Sequence, residues 1–206
     1  DGRQADVLVG ATVTGDIVRI EKLVVIDTRF VTGIFQTDLD APTKRVVAMD
    51  LERPGRENVD EIVGAVKDTL AGVSLIDGKL ILQYLKDVTA RVELFTPEGD
   101  PLGELALPGV GTADGFGGKQ FDKETFFTFT SYTTPPSIYR YDLTTAKAER
   151  IRAPRIAFDP ELYETKQVFY ESKDKTRVPM FITHKKGLKL DGTNPTILYG
   201  YGGFNI

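Results

Sequence analysis

Apolar and polar residues alternate with a period of two along most of this chain, in short runs rich in Val, Ile, Phe, Tyr and Thr that Gly, Pro, Asp and Asn interrupt. A period of two puts every second side chain on one face of an extended strand, so the pattern predicts an all-β architecture. Strands are expected over Ile17–Asp27, Val31–Thr37, Arg45–Leu51, Val73–Ile76, Lys79–Lys86, Arg91–Thr96, Phe126–Ser131 and Ser137–Leu143. Helix signals are weak. Val59–Leu70 is the best helical candidate, yet its Val, Gly and Thr suit a strand and turn equally well.

Comparing the chain with itself shows a repeat. Strands of similar pattern begin at Arg45, Arg91 and Ser137, a spacing of 46 residues each time. The matched positions carry Val46, Val92 and Ile138, then Met49, Phe95 and Tyr141, then Asp50, Thr96 and Asp142. Another apolar strand precedes each copy, at Gly33–Thr37, Leu80–Leu85 and Phe126–Ser131. A strand-turn-strand unit at this period predicts β-propeller blades, which are four-stranded and run about 40 to 50 residues. A sandwich would show turns without the period.

The pattern changes after Arg150. Val168–Tyr170 and Val178–Thr183, joined by the polar Ser172–Thr176, predict a hairpin, and Lys185–Asn194 a basic loop. Pro195–Tyr201 is continuously apolar, as a strand buried on both faces of a parallel sheet would be, and Gly202-Gly203 ends it. A second domain is therefore expected from residue 153 onward, following blades over residues 1–152.

Composition then narrows the chemistry. Lys and Arg number 26 against 30 Asp and Glu, with both signs interleaved along the chain, so a nucleic acid partner is not expected. With no Cys and a single His among 206 residues, disulfides, thiol nucleophiles and zinc–thiolate sites drop out, and no metal or cofactor is expected. No apolar run approaches the roughly 20 residues of a helical membrane span, so no membrane partner is expected. Asp1-Gly2-Arg3-Gln4 lacks Met, which leads us to expect an upstream portion. Gly109–Lys119 is glycine-rich but lacks the spacing of a phosphate-binding loop and reads as a blade loop, while Asn194-Pro195-Thr196 is closed to glycosylation by its proline.

Tyr199-Gly200-Tyr201-Gly202-Gly203-Phe204-Asn205-Ile206 closely resembles a strand end and loop of the prolyl oligopeptidase family of serine peptidases. Gln167–Asp191 is similar to the first hairpin of that family's catalytic domain, and Ser131–Tyr139 to its last propeller blade. The resemblance implies a mainly β chain: about three blades of a seven-bladed propeller, followed by the first strands of an α/β-hydrolase domain. It further implies a parent enzyme that cleaves short proline-containing peptides after proline through an acyl-enzyme. Tyr201 would then stabilise the oxyanion and Phe204 would line the proline pocket. A neutral phenol with a pKa near ~10 stays protonated and can donate to developing negative charge, and a flat apolar ring suits a pyrrolidine.

The catalytic triad is missing. Its nucleophile would need a Gly-x-Ser-x-Gly elbow, and none of Ser74, Ser131, Ser137 or Ser172 has Gly two residues away on both sides. His184, beside Lys185 and Lys186, reads as a solvated surface histidine. The chain alone is therefore expected to be inactive, its partners being short proline-containing peptides and the remainder of its own propeller and catalytic domain. The cytoplasm is the expected compartment, with the periplasm as alternative. Two other readings are an oligopeptidase B-type peptidase, cleaving after basic residues, and a propeller binding module without chemistry; the break in the repeat after Arg150 argues against the latter.

Overall fold

The computed structural model describes residues 20–27, 32–50, 52–53 and 55–200, the strand at 20–27 by its backbone alone. Three four-stranded antiparallel sheets follow one another along the chain. The first holds β1 (Ile20–Asp27), β2 (Thr32–Thr37), β3 (Arg45–Asp50) and β4 (Val59–Val63). The second holds β5 (Thr69–Ile76), β6 (Lys79–Lys86), β7 (Thr89–Phe95) and β8 (Pro101–Glu104). The third holds β9 (Thr112–Gly117), β10 (Glu124–Thr130), β11 (Ser137–Asp142) and β12 (Lys147–Arg152). A separate two-stranded hairpin, β13 (Tyr163–Glu171) and β14 (Arg177–Lys185), comes last.

Within each four-stranded sheet, spatial order equals chain order. β1 touches β5 and β5 touches β9, so the first strands converge while the fourth strands point outward; β8 and β12 are exposed along their whole length. This is the radial arrangement of propeller blades. The three matched copies at Arg45, Arg91 and Ser137 fall in the third strand of successive sheets, so the 46-residue period is the sheet repeat. Asp50, Thr96 and Asp142 share a task at the end of those strands. Their side-chain oxygens accept from the backbone N–H of Glu52, of Asp100, and of Thr144 and Thr145, closing the turn that sends the chain into the fourth strand.

Hydrophobic burial lies between sheets. Leu70, Val73, Leu80 and Leu82 of the second sheet meet Ile34, Val46 and Val63 of the first, and Ile81, Val92 and Leu94 meet Phe116, Phe127, Phe129 and Tyr139 of the third. β6 is thus covered on both faces, which is why Leu80-Ile81-Leu82 is an unbroken apolar run. Arg45 and Arg91, one repeat apart, are half-buried and each pair with a carboxylate, Glu61 at 2.8 Å and Asp68 at 3.2 Å. Arg91 also lies over the Tyr84 ring, 4.9 Å from its centroid. Burial, with Glu93 adding to it, pushes the Tyr84 hydroxyl up to about 12, so it stays neutral.

Several expectations need correction. Ile138, matched to Val46 and Val92, is 37% exposed whereas those two are fully buried. In β11 it is Ser137, Tyr139 and Tyr141 that turn toward the second sheet, because the third sheet has a neighbouring sheet on only one side among the described residues. Gly109–Lys119 is not wholly loop: Thr112–Gly117 is β9, with Ala113 and Phe116 buried. Its glycine suits a bulged strand, since Gly115 has φ +116° and the register against β10 shifts there. Of the two readings of Val59–Leu70 the strand and turn holds: it is β4, a connection and the start of β5. Pro195–Gly200 forms no strand, and Ile197, Leu198 and Tyr199 are 94%, 87% and 81% exposed, because no sheet among the described residues receives them.

Adjacent sheets are also tied at their rims. Asp77, in the β5–β6 turn, accepts hydrogen bonds from Lys123 of the third sheet and from Lys79 at 2.8 Å, which hold its carboxyl below its ordinary 3.8. A carboxyl lowered by folding adds stability that is complete above the unfolded value and is lost as pH falls through the folded one. The denaturation midpoints of the wild type and Asp77→Asn should therefore differ by a constant amount between about pH 5 and 7 and converge below about pH 4. A gap that widened on acidification would refute the bridge.

Candidate functional site

An antiparallel meander returns alternate turns to opposite ends. In each sheet the turn between second and third strands, the connection to the next sheet, and the end of the fourth strand share one end. The chain leaves β12 at that end, runs through an exposed segment at residues 153–158, and folds into the β13–β14 hairpin. The linker is tied to the hairpin by Phe158, whose ring meets Tyr163 edge-on at 5.7 Å. Arg177 stacks over the Phe169 ring at 3.5 Å and braces the far end of the hairpin.

The hairpin touches the second and third sheets at few points. Gln167 Nε2 donates to the Asp87 carbonyl at 2.5 Å, and the Phe181 ring packs on Tyr132 with centroids 5.3 Å apart. Between them lies a cleft of about 230 Å³, lined by Val88, Val110, Thr130, Tyr132 and Phe181. Sequence reasoning points to none of these residues as a site. The available signal is the two-residue interval Asp87-Val88 between two strands, a hairpin turn whose position fixes what can reach the sheet end.

His184 is not solvated, contrary to the sequence expectation. Its side chain is only 9% exposed; it faces Glu164 across the β13–β14 ladder, with Nε2 3.7 Å from Oε1, and Nδ1 lies 3.0 Å from the Lys185 carbonyl. A hydrogen bond from Lys166, aided by the charges of His184 and Lys186, lowers the Glu164 carboxyl. Past the hairpin, Asp191 accepts from the N–H and hydroxyl of Thr193 at 3.1 and 2.6 Å, and Asn194 donates to the Lys189 carbonyl at 2.7 Å. This knot delivers the chain to the exposed Ile197–Tyr199 run. Tyr201 and Phe204 lie outside the described residues. Among the described residues no group of three or more His, Cys, Asp or Glu is placed to hold a metal ion, and no helix is long and apolar enough to cross a membrane.

Residues 21–154 match the family described as "Prolyl oligopeptidase, N-terminal beta-propeller domain". The prolyl endopeptidase of Elizabethkingia meningoseptica is 42% identical over 182 residues, covering 88% of this chain and 26% of that protein. A structure from a study of two prolyl endopeptidases, on inter-domain dynamics in catalysis and specificity, superposes with a TM-score of 0.75 at 43% identity, covering 85% of this chain and 26% of that one. Prolyl oligopeptidase B from Galerina marginata, bound to a 25mer macrocyclization substrate, superposes with a TM-score of 0.71 at 30% identity over 84% of this chain and 24% of that one. The chain thus spans about a quarter of the length of these relatives. The chain is mainly β, and its three four-stranded antiparallel sheets match the propeller domain.

Proposed function

This chain belongs to the prolyl oligopeptidase family, through its N-terminal β-propeller domain, and from that membership we propose that it is part of a serine endopeptidase hydrolysing short peptides after proline through an acyl-enzyme. On this reading residues 1–152 are blades of a seven-bladed ring and residues 153–206 begin an α/β-hydrolase domain. The observation that carries it is the reach of the similarity. Coverage of 88% of the chain cannot stop at residue 154, so likeness to a prolyl endopeptidase continues into the hairpin beyond the propeller match.

The exposed Ile197–Tyr199 run supports the same reading, since contiguous apolar residues left in water mark a surface that another part of a protein covers. Tyr201, one glycine further on, donates its phenolic O–H to the oxyanion, while Phe204 supplies one wall of a proline pocket. Short proline-containing peptides are the substrates, the rest of the propeller and catalytic domain are the structural partners, no cofactor takes part, and the compartment is the cytoplasm.

The full-length protein should release the chromophore from a proline-anilide peptide and be titrated by a serine-reactive phosphonate. The 206-residue chain should do neither, having an oxyanion donor without nucleophile or base. Turnover by the purified chain that the phosphonate abolishes would sink this reading.

A further inference from the structure

The second sheet contains two hairpin turns of the same kind with different chemistry. Between β5 and β6 the turn residues are Asp77 (φ +52°) and Gly78 (φ +64°); between β6 and β7 they are Asp87 (φ +47°) and Val88 (φ +63°). Positive φ at both central residues is the type I′ hairpin turn, for which Asn-Gly and Asp-Gly are preferred. Asp77-Gly78 obeys that rule. Asp87-Val88 breaks it with a β-branched residue, whose side chain is crowded by its own backbone in the left-handed region. Glycine would close the second turn as well as it closes the first.

What the strained residue touches explains its presence. Val88 lines the cleft under the hairpin together with Val110, Tyr132 and Phe181, and the Asp87 carbonyl just before it accepts from Gln167, 80 residues further along the chain. We propose that the Asp87-Val88 turn, together with Tyr132, is a reversible clasp for the β13–β14 hairpin, holding the segment that follows Arg152 to the ends of the second and third sheets. Positive φ recurs at other non-glycine residues, Lys44, Phe116 and Lys175 among them, but among the described residues Val88 is the β-branched one; a strained conformation at a contact point is the pattern expected where it serves binding rather than stability.

The clasp is slender. It consists of one hydrogen bond, one tilted aromatic contact and an incompletely filled cleft, and Val88 and Tyr132 remain 52% and 67% exposed. Among the described residues β13 and β14 otherwise pair with each other alone, and the preceding linker is exposed throughout residues 153–158. The hairpin therefore undocks far more easily than the sheets separate, and an undocked two-stranded hairpin is marginal in water, so undocking exposes its ladder amides to exchange. The clasp is independent of any bond that a longer protein cleaves.

Hydrogen exchange followed by mass spectrometry on the whole chain tests it. Gln167→Glu removes the donor, Phe181→Leu removes the ring contact, and Val88→Gly removes the apolar contact while relieving the turn. Each should speed exchange across residues 163–185 by about three- to tenfold and leave β6 and β10 within about twofold of wild type. For Val88→Gly the two effects have opposite signs: the β6–β7 turn should become better protected as the hairpin becomes less so. Because the chain has no cysteine, Tyr132→Cys with Phe181→Cys can be joined by a short bis-maleimide, which should restore protection in the Val88→Gly background. The clasp is disproved by hairpin exchange that ignores both Val88→Gly and Gln167→Glu, by loosening that spreads equally through the sheets, or by a cross-link that leaves the hairpin open.

Discussion

If Tyr201 has the oxyanion role proposed for it, replacing it with phenylalanine in the full-length protein is expected to lower turnover by about a hundred- to a thousand-fold, the usual result of deleting one oxyanion donor, or about 2.7 to 4 kcal/mol of transition-state stabilisation. The substitution keeps the ring and its packing and removes only the hydroxyl. Substrate binding before the chemical step should hardly change, so the loss should fall on kcat with KM within a few-fold. In α/β-hydrolases the second donor is a backbone N–H beside the nucleophile, which is why activity should be reduced rather than abolished. Tyr199→Phe is the control: it deletes the other phenolic hydroxyl of the same string, two residues earlier, and should leave kcat near wild type. Should Tyr199→Phe abolish turnover while Tyr201→Phe leaves it within a few-fold, the roles in the loop are reversed. The readout is steady-state hydrolysis of a proline-anilide peptide.

Phe127→Ala is expected to remove about 3 to 5 kcal/mol of folding stability, a large share of the roughly 5 to 15 kcal/mol a domain possesses. Phe127 is buried between the second and third sheets, stacked on Phe116 at 4.8 Å and on Tyr139 at 5.2 Å, with Phe129 edge-on to Tyr139 at 6.3 Å. Truncation removes a member from the middle of that aromatic row, and the strands cannot collapse onto the space without losing their register. Its neighbour offers a sharp contrast. Phe126 points to the opposite face of β10 and is 43% exposed, so Phe126→Ala should cost less than about 1 kcal/mol. Urea denaturation of the chain, with midpoints and slopes compared, separates the two. Equal losses, or a larger loss at Phe126, would mean that β10 pairs one residue out of register, which inverts every side chain on the strand.

Much of the propeller is legible in the sequence. The period at Arg45, Arg91 and Ser137 marks the third strand of each sheet, and Asp50, Thr96 and Asp142 mark the turns that close it. Those features are local: a strand's alternation and a side chain capping its own turn are written within a few residues. Other strands carry no such mark. Lys147–Arg152 is exposed on every residue because the outermost strand covers no core, and Pro101–Glu104 is four exposed residues. Thr112–Gly117 is hidden by its glycines, which suggest a loop until the partner strand supplies the hydrogen bonds.

The resemblance carried by Tyr199 to Ile206 is readable for the same reason, as a contiguous string. Which face Ile138 presents, whether His184 meets water, and what Val88 is for are not. By itself the sequence determined the β class, the sheet period and the turn chemistry, since those follow from neighbours along the chain. Only the tertiary structure decided which strand faces lie between sheets, that the histidine is shielded beside a cross-strand glutamate, and that the carbonyl of a strained turn meets a hairpin residue 80 positions away. Those outcomes depend on pairs of residues far apart in the chain, and an alternating pattern fixes that a side chain has a buried face available without stating which distant surface will cover it.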